Sequence, residues 1–269
     1  MMRRSMPCKV IYVPKGKAFE YCPLAVNLFR GCSHACSYCY VPGISYQTKE
    51  IFSIPIPRRD IIEKIRKEAP AHRGHKVFLC FTCDPYQKAH DHLKLPAKAI
   101  SALHDGGTFV SILTKAGMLS AQDFPLLGRG DEYGATLTFI KKEDSDRWEP
   151  GAASPIERIE ALEKAHAAGI PTWASIEPVI DPAQSLELIR ITHPSSMYSR
   201  SGNGTTIHGQ IKSTGNPSQR QPWNSSENII KSISSKKTWR HISNKIIQAD
   251  IAQKPARIKF ALHPPKYAP

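Results

Sequence analysis

Residues 27–42 read NLFRGCSHACSYCYVP, and the rest of the chain is best understood outward from them. Three cysteines, Cys32, Cys36 and Cys39, stand at C-x3-C-x2-C spacing. Thiolates are soft ligands for iron and zinc. Three of them on one short loop supply three corners of a tetrahedral zinc site or of a cubane iron–sulfur cluster. A [4Fe–4S] cluster ordinarily takes four cysteines, so with three of them one iron stays open to a further ligand. An open position belongs to catalytic metal sites, whereas a closed four-ligand set is structural. The competing reading is a closed zinc loop completed by His34 or Cys22.

The setting of the loop narrows the choice. An apolar run, Ala25 to Phe29, precedes it, and an aromatic residue, Tyr38, stands directly before the last cysteine. With these residues the stretch resembles the radical S-adenosylmethionine (SAM) superfamily, whose signature is C-x3-C-x-aromatic-C after the first barrel strand. The segments YVPKGKAFEY before the cysteines and TCDPYQ after them resemble the spore-photoproduct-lyase-like branch. The resemblance runs from about Ile11 to Pro194. It implies an α/β fold, a partial (β/α)6-type barrel, with a [4Fe–4S] cluster and SAM as cofactors. In that family the open iron binds the amino and carboxylate groups of SAM. One electron then cleaves the sulfonium bond, giving methionine and a 5′-deoxyadenosyl radical that takes a hydrogen atom from substrate. The resemblance further implies an electron donor of flavodoxin or ferredoxin type and a DNA-repair-like lyase reaction on nucleic acid. A tRNA- or peptide-modifying reaction, a non-catalytic zinc module and an inactive frameshifted product are the alternatives.

Composition sets the outer bounds. A chain of 269 residues with 41% hydrophobic content suits one domain, or one with an extension. No apolar run approaches the length of a membrane span, and the N-terminal MMRRSMPCKV lacks a signal-peptide core. Seven cysteines, three of them clustered, fit metal ligation in a reducing compartment better than a disulfide framework. A cytoplasmic, monomeric protein is expected. The net charge of +14 invites a nucleic-acid reading. However, residues 195–269 hold 12 Lys and Arg against only Glu227 and Asp250, and the rest holds 25 basic against 21 acidic residues. Most of the charge therefore belongs to the tail and says little about the partner of the body.

Five strand–helix units follow one another. The strands are read at Ala25–Arg30, Val77–Phe81, Thr108–Thr114, Tyr133–Ile140 and Pro171–Ile176. Helices are read at Arg58–Ala71, Leu95–His104, Leu119–Leu127, Ser154–Ala168 and from Asp181 or Pro182 to Ile191. Residues 1–24 read as a leader, 25–194 as the barrel and 195–269 as an irregular basic tail. The alternation implies a parallel sheet with crossover helices. Ser154, Pro155 and Glu157 spell a capping box at the start of the fourth helix after the loop. No sixth strand is legible, so the edge of the fifth is expected to be unpaired. The tail is expected to be disordered and read out of frame. Back-translation of Gly202–Gly215 and Asn228–Trp239 in a shifted frame yields segments that resemble the family's last strand and closing helix.

Further candidates sit where strands end, because barrel sites gather there. By resemblance, Tyr38 lies near the adenine, Thr82 and Asp84 meet the methionyl amino group, and Lys115 reaches the SAM carboxylate. Thr136 and Thr138 flank Leu137, share a face and are candidates for SAM contact. Glu177 in SIEPV is a candidate for ribose or substrate. Cys83 stands near the strand end where related lyases place a hydrogen-donating cysteine.

Overall fold

The computed structural model describes residues 9–192, 198–201 and 205–208. Its main sheet joins β1 (Leu24–Val26), β4 (Lys76–Leu79), β5 (Phe109–Thr114), β6 (Glu132–Thr136), β7 (Thr172–Ile176), β8 (Tyr198–Ser201) and β9 (Thr205–His208) in that order. All neighbours from β1 to β8 are parallel, and β9 returns antiparallel to β8. A small ribbon pairs β2 (Phe29–Arg30) with β3 (Ile56–Pro57). The sheet is open between β1 and β9, as a partial barrel is.

Strand alternation divides the core into two layers. Val77, Leu79, Val110, Ile112, Ala135, Ala174 and Ile176 pack with Ile65, Ile100, Leu103, Leu162 and Leu188 of the crossover helices. The alternate positions Ala25, Phe78 and Trp173 form a second, smaller layer on the other face of the sheet. Tyr21 lies edge-on to Phe78 and Phe81 and 5.9 Å from Trp173, so it bridges β4 and β7 across that face. Residues 9–24 of the segment read as a leader thus pack onto the barrel. Tyr12 makes an antiparallel bridge to Ala25, and Glu68 accepts from the Val10 and Ile11 amides.

Several boundaries differ from the sequence reading. The first strand breaks at Asn27–Leu28, because the Arg58 amide bonds to the Leu28 carbonyl and draws the chain into the β2–β3 ribbon. The fourth parallel strand ends at Thr136, since Gln184 Oε1 takes the Ile140 and Lys141 amides. Gly117–Leu126 winds as a 3-10 helix with Pro125 inside it. Helix Pro155–Ala167 begins with the capping box read from the sequence. At the edge of β7 the backbone of β8 takes the parallel position for which no sixth strand was legible, so that edge is paired. Backbone pairing needs no apolar alternation, and Tyr198–Ser201 shows none. The expectations for the remainder of 195–269 lie outside the described residues. Among the described residues no helix is long and apolar enough to cross a membrane.

Candidate active site

The cysteine loop leaves β2 at Gly31 and is gripped from three directions. Gly31 has φ +87°, and a Cβ there would lie 2.6 Å from the Phe52 carbonyl oxygen. That close approach lets the Cys32 amide donate to Phe52 O at 2.7 Å. From the turn after β4, the buried Gln87 amide spans Cys32: its Oε1 accepts from Ser33 N at 2.7 Å and its Nε2 donates to Gly31 O at 3.3 Å. From the end of helix Lys142–Trp148 and the turn after it, Trp148 O accepts the Ser37 amide at 2.8 Å, and the Gly151 amide donates to His34 O at 3.0 Å. Gly151 O faces His34 Nδ1 at 2.8 Å. A carbonyl only accepts, so Nδ1 carries the hydrogen.

Cys32, Cys36 and Cys39 are free thiols, each half-buried. Burial pushes all three above the ordinary thiol value, Cys36 up to about 11. The Asp84 carboxylate raises Cys32 further, while Lys115 works the other way on Cys36 and Cys39. Metal-free, these thiols are protonated near neutrality, and ligation would release their protons. Among the described residues no three His, Cys, Asp or Glu side chains converge closely enough to hold a single ion. The closed zinc reading loses one of its two proposed fourth ligands, because the Cys22 thiol donates to Lys76 O at 3.1 Å in the small aromatic layer; His34 faces Gly151 O through Nδ1, and its buried Nε2 lies 3.1 Å from Asp84 Oδ2.

Asp84 is buried beneath the loop. It accepts from Tyr86 N at 2.9 Å, Thr114 Oγ1 at 2.7 Å and Lys115 N at 2.8 Å, and lies 3.1 Å from His34 Nε2. Burial alone would raise its carboxyl, but His34, the Lys115 amide and Thr114 outweigh that and hold it below the ordinary value. With both oxygens engaged, Asp84 joins the cysteine loop to the end of β5.

Three sequence candidates, Tyr38, Lys115 and Thr138, meet around a residue the sequence reading passed over, Glu149, and the Thr136 carbonyl meets its partner Arg158. The Tyr38 hydroxyl donates to Glu149 Oε1, and the Thr138 hydroxyl lies 2.9 Å from the same oxygen. Arg158 Nη1 pairs with Oε2 at 2.7 Å, and Lys115 Nζ lies 3.7 Å from Oε1. Arg158 also bonds Thr136 O at 3.1 Å and Ala153 O at 2.8 Å. Glu149 and Arg158 are each 1% exposed. Burial would raise the Glu149 carboxyl; Lys115, Arg158 and the Tyr38 hydroxyl hold it below its ordinary value instead. Arg158 was detectable in principle. It shares a helical face with the buried Ala161, Leu162 and Ala165, where an Arg needs a buried partner. Gln87 and Glu149 carry no such periodic signal.

The other candidates lie around this centre. The Thr82 amide donates to Asn27 Oδ1 at 3.1 Å. The Cys83 thiol points to Phe29 O at 3.6 Å and is half-buried. Glu177 accepts from Tyr21 OH and from Ser175 Oγ at 2.8 Å, and its carbonyl lies 3.2 Å from Thr138 Oγ1.

The family model of the radical SAM superfamily matches residues 26–191, well over half of the chain. This chain belongs to the radical SAM superfamily. It is 30% identical over 185 residues to an uncharacterized protein of Mycobacterium tuberculosis, covering 62% of this chain and 52% of the relative. It is 26% identical over 168 residues to an uncharacterized protein of Methanocaldococcus jannaschii, covering 61% and 63%. The matched region therefore spans about half the length of the mycobacterial relative. Among solved structures, a variant spore photoproduct lyase with bound AdoMet and dinucleoside spore photoproduct superposes with a TM-score of 0.55 at 18% identity, covering 72% of this chain and 56% of that one. SuiB of Streptococcus suis bound to S-adenosylmethionine superposes with a TM-score of 0.52 at 11% identity, covering 84% and 44%. At these identities the likeness is one of fold. Radical SAM proteins use a [4Fe–4S] cluster and SAM, and the donor set here fits that cluster. Three free thiols share one braced loop.

Proposed function

We propose that this chain is a radical SAM enzyme that holds a [4Fe–4S] cluster on Cys32, Cys36 and Cys39, cleaves SAM reductively, and so drives a lyase-type reaction on nucleic acid. The observation that carries this reading is the loop itself: three unpaired thiols braced by Gln87, Gly151 and Trp148 beside the Lys115 ammonium. When bound, the cluster supplies the electron that breaks the sulfonium bond, received from a donor of flavodoxin or ferredoxin type.

The chain's own residues do the positioning. Gln87 and Gly151 fix the loop so that ligand geometry is set before metal arrives. Lys115 offers an ammonium to an anionic group such as the SAM carboxylate, and Tyr38 forms the wall beside it. Thr82, Thr136, Thr138 and Glu177 lie at the C-terminal ends of β4, β6 and β7 and are assigned to SAM or substrate, with Asp84 anchoring the turn that carries Thr82. Cys83, in the turn after β4, is the candidate hydrogen donor to a product radical. The substrate class rests on the shared fold with spore photoproduct lyase.

A product assay tests this. Anaerobically loaded protein is given SAM, a one-electron reductant and spore-photoproduct DNA, and both 5′-deoxyadenosine and repaired DNA are measured. Repair above the uncoupled background supports the full reading. Cleavage of SAM without repair removes the substrate but keeps the enzyme class. Absence of 5′-deoxyadenosine from iron-loaded protein removes both.

A further inference from the structure

Three charges meet beside the cysteine loop where one pair would satisfy the fold. Glu149 and Arg158 already neutralise each other at 2.7 Å, with both side chains almost fully enclosed. Lys115 adds a second cation, its Nζ 3.7 Å from Glu149 and its side chain 15% exposed. The group therefore holds one carboxylate and two cations. Surplus charge in a largely enclosed site is costly unless an anion lies near it.

The placement of Lys115 is built in. Its amide is held by Asp84 Oδ2 at 2.8 Å, and its carbonyl accepts from Ala153 N at 2.9 Å. Its ammonium lies 5.7 Å from the ring centroid of Tyr38, the residue between Cys36 and Cys39. With SAM absent, a loop of three thiolates around a cluster is the anion the surplus cation would face.

We propose that Lys115 is the counter-charge of the cluster loop and that Glu149, backed by Arg158, is the positioning residue that sets its effect on the cluster's reduction potential. This rests on the reading that Cys32, Cys36 and Cys39 hold the cluster. A fixed cation in a low-dielectric site favours the more negative, reduced state and raises the potential; a carboxylate lowers it.

Wild type, Lys115→Met, Lys115→Arg, Glu149→Gln and the double variant Lys115→Met/Glu149→Gln are reconstituted anaerobically. Their potentials are measured by EPR-monitored redox titration without SAM. Lys115→Met is expected to be the most negative and Glu149→Gln the most positive. The double variant, which loses one charge of each sign, returns toward wild type, and Lys115→Arg stays with wild type. Coincident potentials overturn the inference. So do two single variants shifted the same way, as a loosened, wetter loop would produce. Should Glu149→Gln fail to fold or load, Lys115→Met against Lys115→Arg decides: Met must be more negative, and equal values overturn the proposal. Failure of the wild type to load iron overturns the underlying reading instead, and this inference with it.

Discussion

Replacing Gly151 with alanine tests whether the cysteine loop is held by its docking contacts. The new Cβ would lie 2.1 Å from Ser33 O and 2.8 Å from His34 Cα, both backbone atoms that no rotamer can move. A carbon–oxygen contact tolerates about 3.3 Å, so one segment must retreat by about 1.2 Å. That retreat breaks the Gly151 N to His34 O bond at 3.0 Å and the His34 Nδ1 contact to Gly151 O at 2.8 Å. Each is worth about 1 kcal/mol net, and the overpacking adds about 1–3 kcal/mol. A loss of about 3 kcal/mol shifts the docked loop toward the undocked state by roughly two orders of magnitude. Iron bound after anaerobic reconstitution and desalting should fall to a small fraction of wild type. The fold should survive by far-UV circular dichroism, because the Gly151 contacts that the new Cβ disturbs are to Ser33 and His34 of the loop. Gly43→Ala is the control, since a Cβ there meets nothing within 4 Å, and it should load like wild type. Gly151→Ala loading a full cluster with an unchanged spectrum would refute the reasoning.

Other outcomes follow from the same contacts. Gln87→Ala removes both bonds that flank Cys32 and should cost about 2 kcal/mol by urea denaturation of the metal-free protein. Gln87→Glu should not recover it, because a buried carboxylate keeps the acceptor for Ser33 N but sets a second acceptor against Gly31 O. Arg158→Met leaves the buried Glu149 carboxylate with Lys115 at 3.7 Å as its one cation among the described residues, and should cost about 3 kcal/mol in the same assay. The His104 imidazole is held above its ordinary value by the Asp131 carboxylate 3.0 Å away. Its stabilisation is therefore complete below about pH 6.5 and lost as pH rises through the raised folded value. A stability difference between wild type and His104→Ala should shrink on going from pH 6 to pH 8.5, measured by thermal unfolding.

The parts of the molecule legible in the sequence are those that local chemistry determines. The thiol spacing at Cys32, Cys36 and Cys39 stands on one loop, as read. The five parallel strands follow from their apolar runs, and the Ser154 capping box follows from four adjacent residues. Tyr38, Lys115, Thr136 and Thr138 were legible as strand-end or loop candidates but not as neighbours. What unites them, Glu149 backed by Arg158, stands 11 residues from Thr138 and 111 from Tyr38 along the chain, and only folding brings them together. Gln87 reaches Ser33 across 54 residues for the same reason. β8 escaped because backbone pairing leaves no side-chain pattern in Tyr198–Ser201. Tyr21 escaped because a plug between β4 and β7 has no periodicity to mark it.

The most direct test of the account is the metal the loop takes up. Wild-type protein is reconstituted anaerobically with iron and sulfide, desalted, and assayed for iron, zinc and EPR signal with and without SAM. The account predicts about four irons per chain, a reduced-cluster signal that changes when SAM is added, and loss of both in Cys36→Ala. Stoichiometric zinc with no iron uptake, or a cluster whose signal is indifferent to SAM, would contradict it.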